Sequence, residues 1–327
     1  MFKNIPPLLA IRYFESAARN LSFTQAAKEL FVTQGAISLQ IRKLEDHLNT
    51  PLFIRRTRQI ELTPEGYALY KACNEAFKIM DTATTKIIEP AGQQSITVNT
   101  IPTIATLWLL PRLAAFSSIH PHIDVRIISD LRAVDMHEQD IDVALRVGRL
   151  PGKKYDQKAP NIDLILSERW DNIDVDFLFP DILIPVVSQN LMSRYGEITH
   201  PEELLTFPLI HTATRENAWP DWFGAHNTIY KPTKTSFEVG HFYIALKAAQ
   251  ESQGIALIPE ILFREYPGRN ELTPILQHLP VIQSAGGYYL LTKKQTYKKD
   301  ATDAFRQWVL NEVAKNSKVT ATIKEMD

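Results

Sequence analysis

The sequence predicts a multidomain chain: an all-α N-terminal segment ending in a hairpin, one long helix, and an α/β body. Three observations predict it. Capped, helix-periodic stretches fill the first fifty residues, a heptad-like stripe runs from about residue 65 to 89, and beyond residue 94 short apolar strands alternate with helices. A length of 327 residues suits two or three folding units.

The N-terminal elements are read from their caps. Pro7 opens a helix to about Asn20, with Phe14, Ala17 and Ala18 on one face. Ser22-Phe23-Thr24-Gln25 has the capping-box form and starts a second helix carrying Ala26, Ala27 and Leu30. Thr33 caps a third, Gln34 to about Leu48, whose apolar positions Ile37, Ile41, Leu44 and Leu48 make a core-facing stripe. After Pro51, LFIRRTRQIELT alternates around a basic tip and reads as a two-stranded wing. Thr63-Pro64-Glu65 then opens the long helix, about Glu65 to Glu89, which Pro90-Ala91-Gly92 ends. Tyr70, Cys73, Phe77, Met80, Thr84 and Ile87 form a heptad seam along it, for which the sequence offers no other local cover. The expected cover is the same helix of a second chain.

The remaining elements are strands at Ile96–Asn99, Val125–Ile128, Val143–Val147, Ile182–Val187, Pro208–Ile210, Ile255–Ile258 and Tyr288–Leu291. Helices are expected at Thr103–Phe116 (bent at Pro111), Phe242–Gln250 and about Ala301–Ala314. There is no tandem repeat.

Composition excludes several classes. Hydrophobic content of 45% and charge of 22% are those of a soluble globular protein, and no apolar run approaches the ~20 residues that span a bilayer, so no membrane partner is expected. MFKNIPPLLAIRYFESAARN turns polar too soon for a secretory signal, and a single cysteine, Cys73, rules out an intramolecular disulfide framework. A cytoplasmic location is the expectation. Net charge is −1, but residues 1–66 carry nine Lys/Arg against six Asp/Glu, which permits DNA binding. Gly-rich phosphate loops, a G-x-S-x-G elbow and zinc-spaced cysteines are absent, so no catalytic residue, metal or cofactor is expected. His120-Pro121-His122 has a tweezer form without a nearby third ligand.

Helix two, the turn Phe31-Val32-Thr33 and helix three make a helix-turn-helix; with the wing, this is an all-α winged helix-turn-helix domain. With Ile37 facing the core, Gly35, Leu39 and Arg42 lie opposite, Ser38 and Lys43 flank them, and Gln34 stands at the N-terminal end where recognition helices meet bases. Gln and Arg read adenine and guanine edges bidentately, Ser hydrogen-bonds, and Leu39 suits a thymine methyl. Gly35 permits close approach to the duplex. Arg55, Arg56 and Arg58 suit phosphates or the minor groove. The alternative is a three-helix bundle whose polar face is merely solvated.

The stretch FESAARNLSFTQAAKELFVTQGAISLQIRKLEDHLNTPLFIRRTRQIELTPEG resembles the N-terminal domain of LysR-type transcriptional regulators. The shared positions are Ser22-Phe23-Thr24, Ala26-Ala27, Thr33-Gln34, Ala36, Ser38, Ile41, Leu44-Glu45, Leu48, Pro51-Leu52-Phe53, Arg55, Leu62-Thr63-Pro64 and Gly66. The resemblance implies DNA contacts from Gln34, Ser38 and the wing arginines, and Thr33 beside Gln34 is counted with the DNA-binding residues; Leu39 departs from the resemblance, standing where many members carry a polar reader. IPTIATLWLLPRLAAF, DIDVALRVGRL, PVVSQNL and AAQESQGIALIP are similar to segments of the effector domain of that family, in the flavour of its glycine-cleavage and β-lactamase regulators. That implies a two-lobed α/β domain of periplasmic-binding-protein type, with a small-molecule effector of unknown identity in the cleft, anionic or amino-acid-like. The expected boundaries are 1–64 for the reader and 65–92 for the linker helix, then 93–183 with 285–327 for lobe I and 184–284 for lobe II. The expected partners are double-stranded DNA, further copies of the chain as a dimer of dimers, and RNA polymerase.

Physical reading marks the same cleft. Thr100-Ile101-Pro102 leads into a helix capped by Thr103, an anion-friendly corner of hydroxyls and free amides. The second lobe offers His211, Thr212 and His241, and Arg146 is a candidate counter-charge. Each has a plainer reading: Thr100 and Thr103 cap a helix, the histidines are satisfied locally, and Arg146 sits in a structural ion pair. PGKKYDQKAPNIDLILSERWDN, residues 151–172, is longer than the usual family link and reads as a surface excursion, an oligomer contact or a lid. A transport solute-binding protein and an effector-independent architectural DNA binder are the competing functions. The first is disfavoured by the N-terminal reader and the missing signal.

Overall fold

The computed structural model describes residues 5–55, 60–88, 93–136, 140–233, 237–296 and 298–324. It divides into two compact units, Met1–Ala91 and Gly92–Asp327.

In the first unit, α1 (Leu8–Asn20), α2 (Phe23–Glu29) and α3 (Gln34–Leu48) pack on one another, followed by the antiparallel pair β1 (Phe53–Arg55) and β2 (Ile60–Leu62), and α4 (Pro64–Ile88). The caps act as the sequence implies. Ser22 Oγ accepts from the Gln25 amide and Thr33 Oγ1 from the Ala36 amide, each at 3.2 Å, satisfying N–H groups that the first helical turn leaves open. Thr63 Oγ1 accepts from the Gly66 amide at 2.9 Å and opens α4 in the same way. Phe14, Ala17, Ala26, Ile37, Ile41 and Leu44 form the core, onto which Phe53 packs edge-on against Phe14 and Phe23. Glu45 Oε1 accepts from the amides of Leu52 (2.8 Å) and Phe53 (3.2 Å), which pins the wing to α3. A Cβ on Gly66 would lie 2.1 Å from the Leu52 carbonyl oxygen, so the start of α4 requires glycine.

The seam on α4 departs from its expected cover. Cys73 is 5% exposed and belongs to the core of its own unit, with Tyr70 and Phe77 packed partly against it. Three-helix cores need a fourth wall, and the first turns of α4 supply it. Met80, on the same stripe, is 43% exposed. The bare seam therefore begins beyond Phe77. The side chain of Ile87 lies outside the described residues.

The second unit is built on one mixed sheet. In its first half β3 (Gln94–Thr100) pairs in parallel with β4 (Ile123–Ser129) and β5 (Val143–Gly148). Between β3 and β4, α5 (Pro102–Ile104) passes through a π turn, Ala105–Leu109, into α6 (Leu110–Ile119). Pro111 has no amide proton to donate, and the widened turn before it absorbs that loss where a bend was expected. Long β6 (Ile173–Ser188) leaves this half and enters the other. There α7 (Gln189–Tyr195), β7 (Leu209–Thr212), α8 (Ala218–Ala225), β8 (Phe237–Val239), α9 (Phe242–Gln250), β9 (Ile255–Pro259), α10 (Glu260–Arg264) and β10 (Leu272–Pro274) follow. β11 (Gln283–Lys293) returns to pair with β5 and β6, and α11 (Lys299–Lys324) ends the fold. Sheet order is β4-β3-β5-β11-β6-β9-β7-β8, with β10 beside β6. Residues 173–182 of β6 pair with β11 and residues 183–186 pair with β9, so the two halves meet on this strand. Buried Asp142 bonds the Thr97 amide and Lys298 Nζ (3.1 Å), and Arg306 grips Asp176 with two 2.6 Å bonds, tying α11 to the first half.

Candidate nucleic-acid interface and ligand cleft

The outer face of α3 in the first unit is unoccupied by its own fold. Thr33, Gln34, Gly35, Leu39, Arg42 and Lys43 are exposed, and Ser38 is half-buried. Gln34 Nε2 donates to Ser38 Oγ at 3.2 Å one turn on, aligning two polar groups along the helix start. A Cβ on Gly35 would meet nothing nearer than Thr33 Oγ1 at 4.0 Å, so folding does not demand glycine there. Arg56 and Arg58 lie outside the described residues, as does the side chain of Arg55. Cys73 is packed away from this face, and burial pushes its thiol up to about 11.

In the second unit, Ile101, Pro102, Thr103, Leu131, Val147 and Leu164 from one half of the sheet face Thr214, Arg215, His241 and Phe242 from the other, with Tyr288 of β11 between them. The space they enclose is about 10 Å³, room for about one water. Of the expected ligand residues, Pro102, Thr103 and His241 line this cleft; Thr100, Arg146, His211 and Thr212 do not. Thr103 follows Pro102 inside the first turn and is not the cap, since Ile101 holds that position and has no side-chain acceptor. Arg146 is fully buried. Its guanidinium donates to Asn99 Oδ1 (3.0 Å) and to the carbonyls of Asp130 (2.7 Å), Leu131 (3.1 Å) and Arg132, and burial draws its pKa down to about 10. With its terminal nitrogens taken, it is no counter-charge for a ligand; it clamps the loop that carries Leu131 into the cleft. His211 Nε2 is 2.9 Å from Tyr230 Oη and is satisfied there.

The strongest group in the cleft was not among those expected. Arg215, in the short turn after β7, is 2% exposed, and Asp181 of β6 is fully buried. Their nearest approach is 3.0 Å, from Nη2 to Oδ1. That contact is out of hydrogen-bond alignment, so Nε, Nη1 and Nη2 of Arg215 and both oxygens of Asp181 lack a hydrogen-bond partner among the described residues. Buried charges normally carry several such bonds, and leaving them unmade is costly. The Tyr288 hydroxyl is held well above its ordinary value, first by burial and then by the Asp181 carboxylate. One signal was available in the sequence: Asp181 interrupts the otherwise apolar run Phe177–Val187. Nothing local distinguishes Arg215.

Comparison with known proteins bears on both units. The pattern described as "Bacterial regulatory helix-turn-helix protein, lysR family" matches residues 8–67, and "LysR substrate binding domain" matches residues 91–314. The glycine cleavage system transcriptional activator of Escherichia coli K12 is 34% identical over 314 residues, covering 96% of each chain. The transcriptional activator AmpR of Providencia stuartii is 30% identical over 94% of this chain and 97% of its own. The full-length structure of the Vibrio cholerae virulence activator AphB superposes with a TM-score of 0.52 at 20% identity, covering 94% of this chain and 99% of that one.

Proposed function

The chain belongs to the LysR family of DNA-binding transcriptional regulators, and from that premise we propose that it senses an anionic or amino-acid-like molecule between the halves of its second unit and changes its grip on promoter DNA in response. It is a regulator and not an enzyme. The observation that carries the ligand class is Arg215: a buried guanidinium with open hydrogen-bonding capacity that lines the cleft with Thr103 and His241. A carboxylate suits such a guanidinium. A cleft with room for about one water requires the halves to part for such a ligand, which gives binding a mechanical consequence. A coupling of ~1–3 kcal/mol is enough to alter promoter occupancy.

On the DNA side, Gln34, Ser38, Leu39 and Arg42 read bases, and Thr33 and the wing arginines hold the backbone. Copies pair through the part of α4 beyond Phe77, and pairs assemble further into a dimer of dimers in the cytoplasm, where RNA polymerase is met at the promoter. Thr103→Val tests the cleft: ligand affinity measured by calorimetry should fall at least tenfold while operator affinity holds. Loss of both would assign Thr103 to folding. Met80→Asp tests pairing, since this residue is exposed in the single chain. Sedimentation should show dissociation, and an intact oligomer would overturn the seam.

A further inference from the structure

The long segment of residues 151–172 shapes a second cavity that shares no lining residue with the cleft. It is a groove of about 880 Å³, of the size that small-molecule sites occupy. One wall is the segment itself, with Lys153, Lys154 and Lys158; the other is α8 and its end, from Pro220 to Asn227; the floor is the start of β11, Gln283 to Ala285.

We propose that this groove binds a small polyanion carrying phosphate or carboxylate groups. Two independent observations carry the assignment. The three lysines are exposed and make no ion pair among the described residues, so three cations face the cavity against two carboxylates, Asp156 and Asp221. Ser284 on the floor is 3% exposed, and its hydroxyl has no hydrogen-bond partner among the described residues. A buried donor left open at the base of a cationic groove is what an anionic oxygen satisfies. Two acids, Asp156 and Asp221, also line the groove and offset part of the charge, leaving it net positive. Asp221 Oδ2 accepts from the Asn161 amide at 2.9 Å, and Asp156 Oδ1 from the Lys158 amide at 2.9 Å.

The wall is also held in shape. Tyr155 Oη accepts from the Leu150 amide at 2.9 Å, and its ring lies under Arg149 (5.2 Å) and Lys153 (5.5 Å). The Ala285 amide donates to the Pro160 carbonyl at 2.8 Å. The Asn161–Asp221 bond latches the segment to α8, which follows β7 in the other half of the sheet. An occupant of this groove therefore bridges the same two halves that the cleft separates, and it would resist or favour their parting.

Calorimetric titration of the full-length protein with inorganic pyrophosphate, at constant ionic strength, tests this. One saturable site per chain is expected. Lys153→Ala/Lys158→Ala should weaken it at least tenfold and Ser284→Ala severalfold, with melting temperatures unchanged because the lysines are exposed. Thr103→Val should leave it untouched. A parallel citrate titration separates the sources: tighter pyrophosphate assigns a phosphorylated ligand, tighter citrate a carboxylate. Absent or non-saturating heat with both probes, an affinity unmoved by the lysine variant, or an affinity lost in Thr103→Val would overturn the proposal.

Discussion

The two units keep the groups proposed to act in them in opposite conditions. On α3, Gln34, Gly35, Leu39 and Arg42 stand in solvent and take no part in the fold beyond the Gln34–Ser38 bond. In the second unit, Arg215 of the cleft and Asp181 behind it in β6 are withdrawn from water and held 3.0 Å apart. An exposed reader can wait for DNA because water satisfies it. A buried charge pair is part of the stability of its domain before any ligand arrives. The comparison teaches that one site is separable from folding and the other is not, and mutations should reveal it.

The largest effect is expected at the pair. Arg215→Ala leaves the Asp181 carboxylate buried and alone, and should cost ~3–5 kcal/mol of stability in denaturant melts. Asp181→Leu/Arg215→Leu should restore most of it. A single variant as stable as the wild type would break the comparison, since the pair would then be a bystander. On α3 the signature reverses. Gln34→Ala and Arg42→Ala should each cost ~1–3 kcal/mol of discrimination between operator and altered sites, with melting unchanged; a fall in melting temperature would show these residues to be structural after all.

The smallest effect sharpens the contrast through pH. Burial lowers the imidazoles of His211, His226 and His241 below the ordinary 6.5. The unfolded chain then binds more protons just below that value. Their contribution to stability is therefore complete above about 6.5 and is lost as pH falls through the lower folded values. Melts of the wild type and of His211→Asn between pH 5 and 7.5, a window set by about that value, should converge as pH falls. Parallel curves would remove His211 from the account.

How legible each region is in the sequence follows from the same difference. The first unit is written locally: Ser22, Thr33 and Thr63 lie within three residues of the amides they cap, and the Ile37-Ile41-Leu44 stripe declares the buried face of α3. Even there the α4 seam misled, because a heptad stripe does not say whose side chains cover it, and Cys73 turned to its own core. In the second unit most of the strands were found but not their lengths. Missed altogether were β8, β10, α7, α8 and α10, which are too short to show periodicity, even where, as in α7, Ser188 caps the helix. Thr103 and His241 were reachable because the family resemblance points to that corner. Arg215 and Asp181 were not, since they are brought together only by the passage of β6 between the halves. Arg146, the most conspicuous cation beforehand, was claimed by carbonyls that no local pattern announces.

The measurement that bears most directly on a ligand-controlled DNA reader is a footprint of the purified full-length protein on the DNA immediately upstream of its own gene, alone and with each standard amino acid in turn. The account predicts a protected pair of half-sites extended over several helical turns, whose protection shifts with at least one amino acid. In Thr103→Val the footprint should persist while the shift disappears. No preference over random DNA at physiological salt, or a footprint identical under every amino acid, would contradict it.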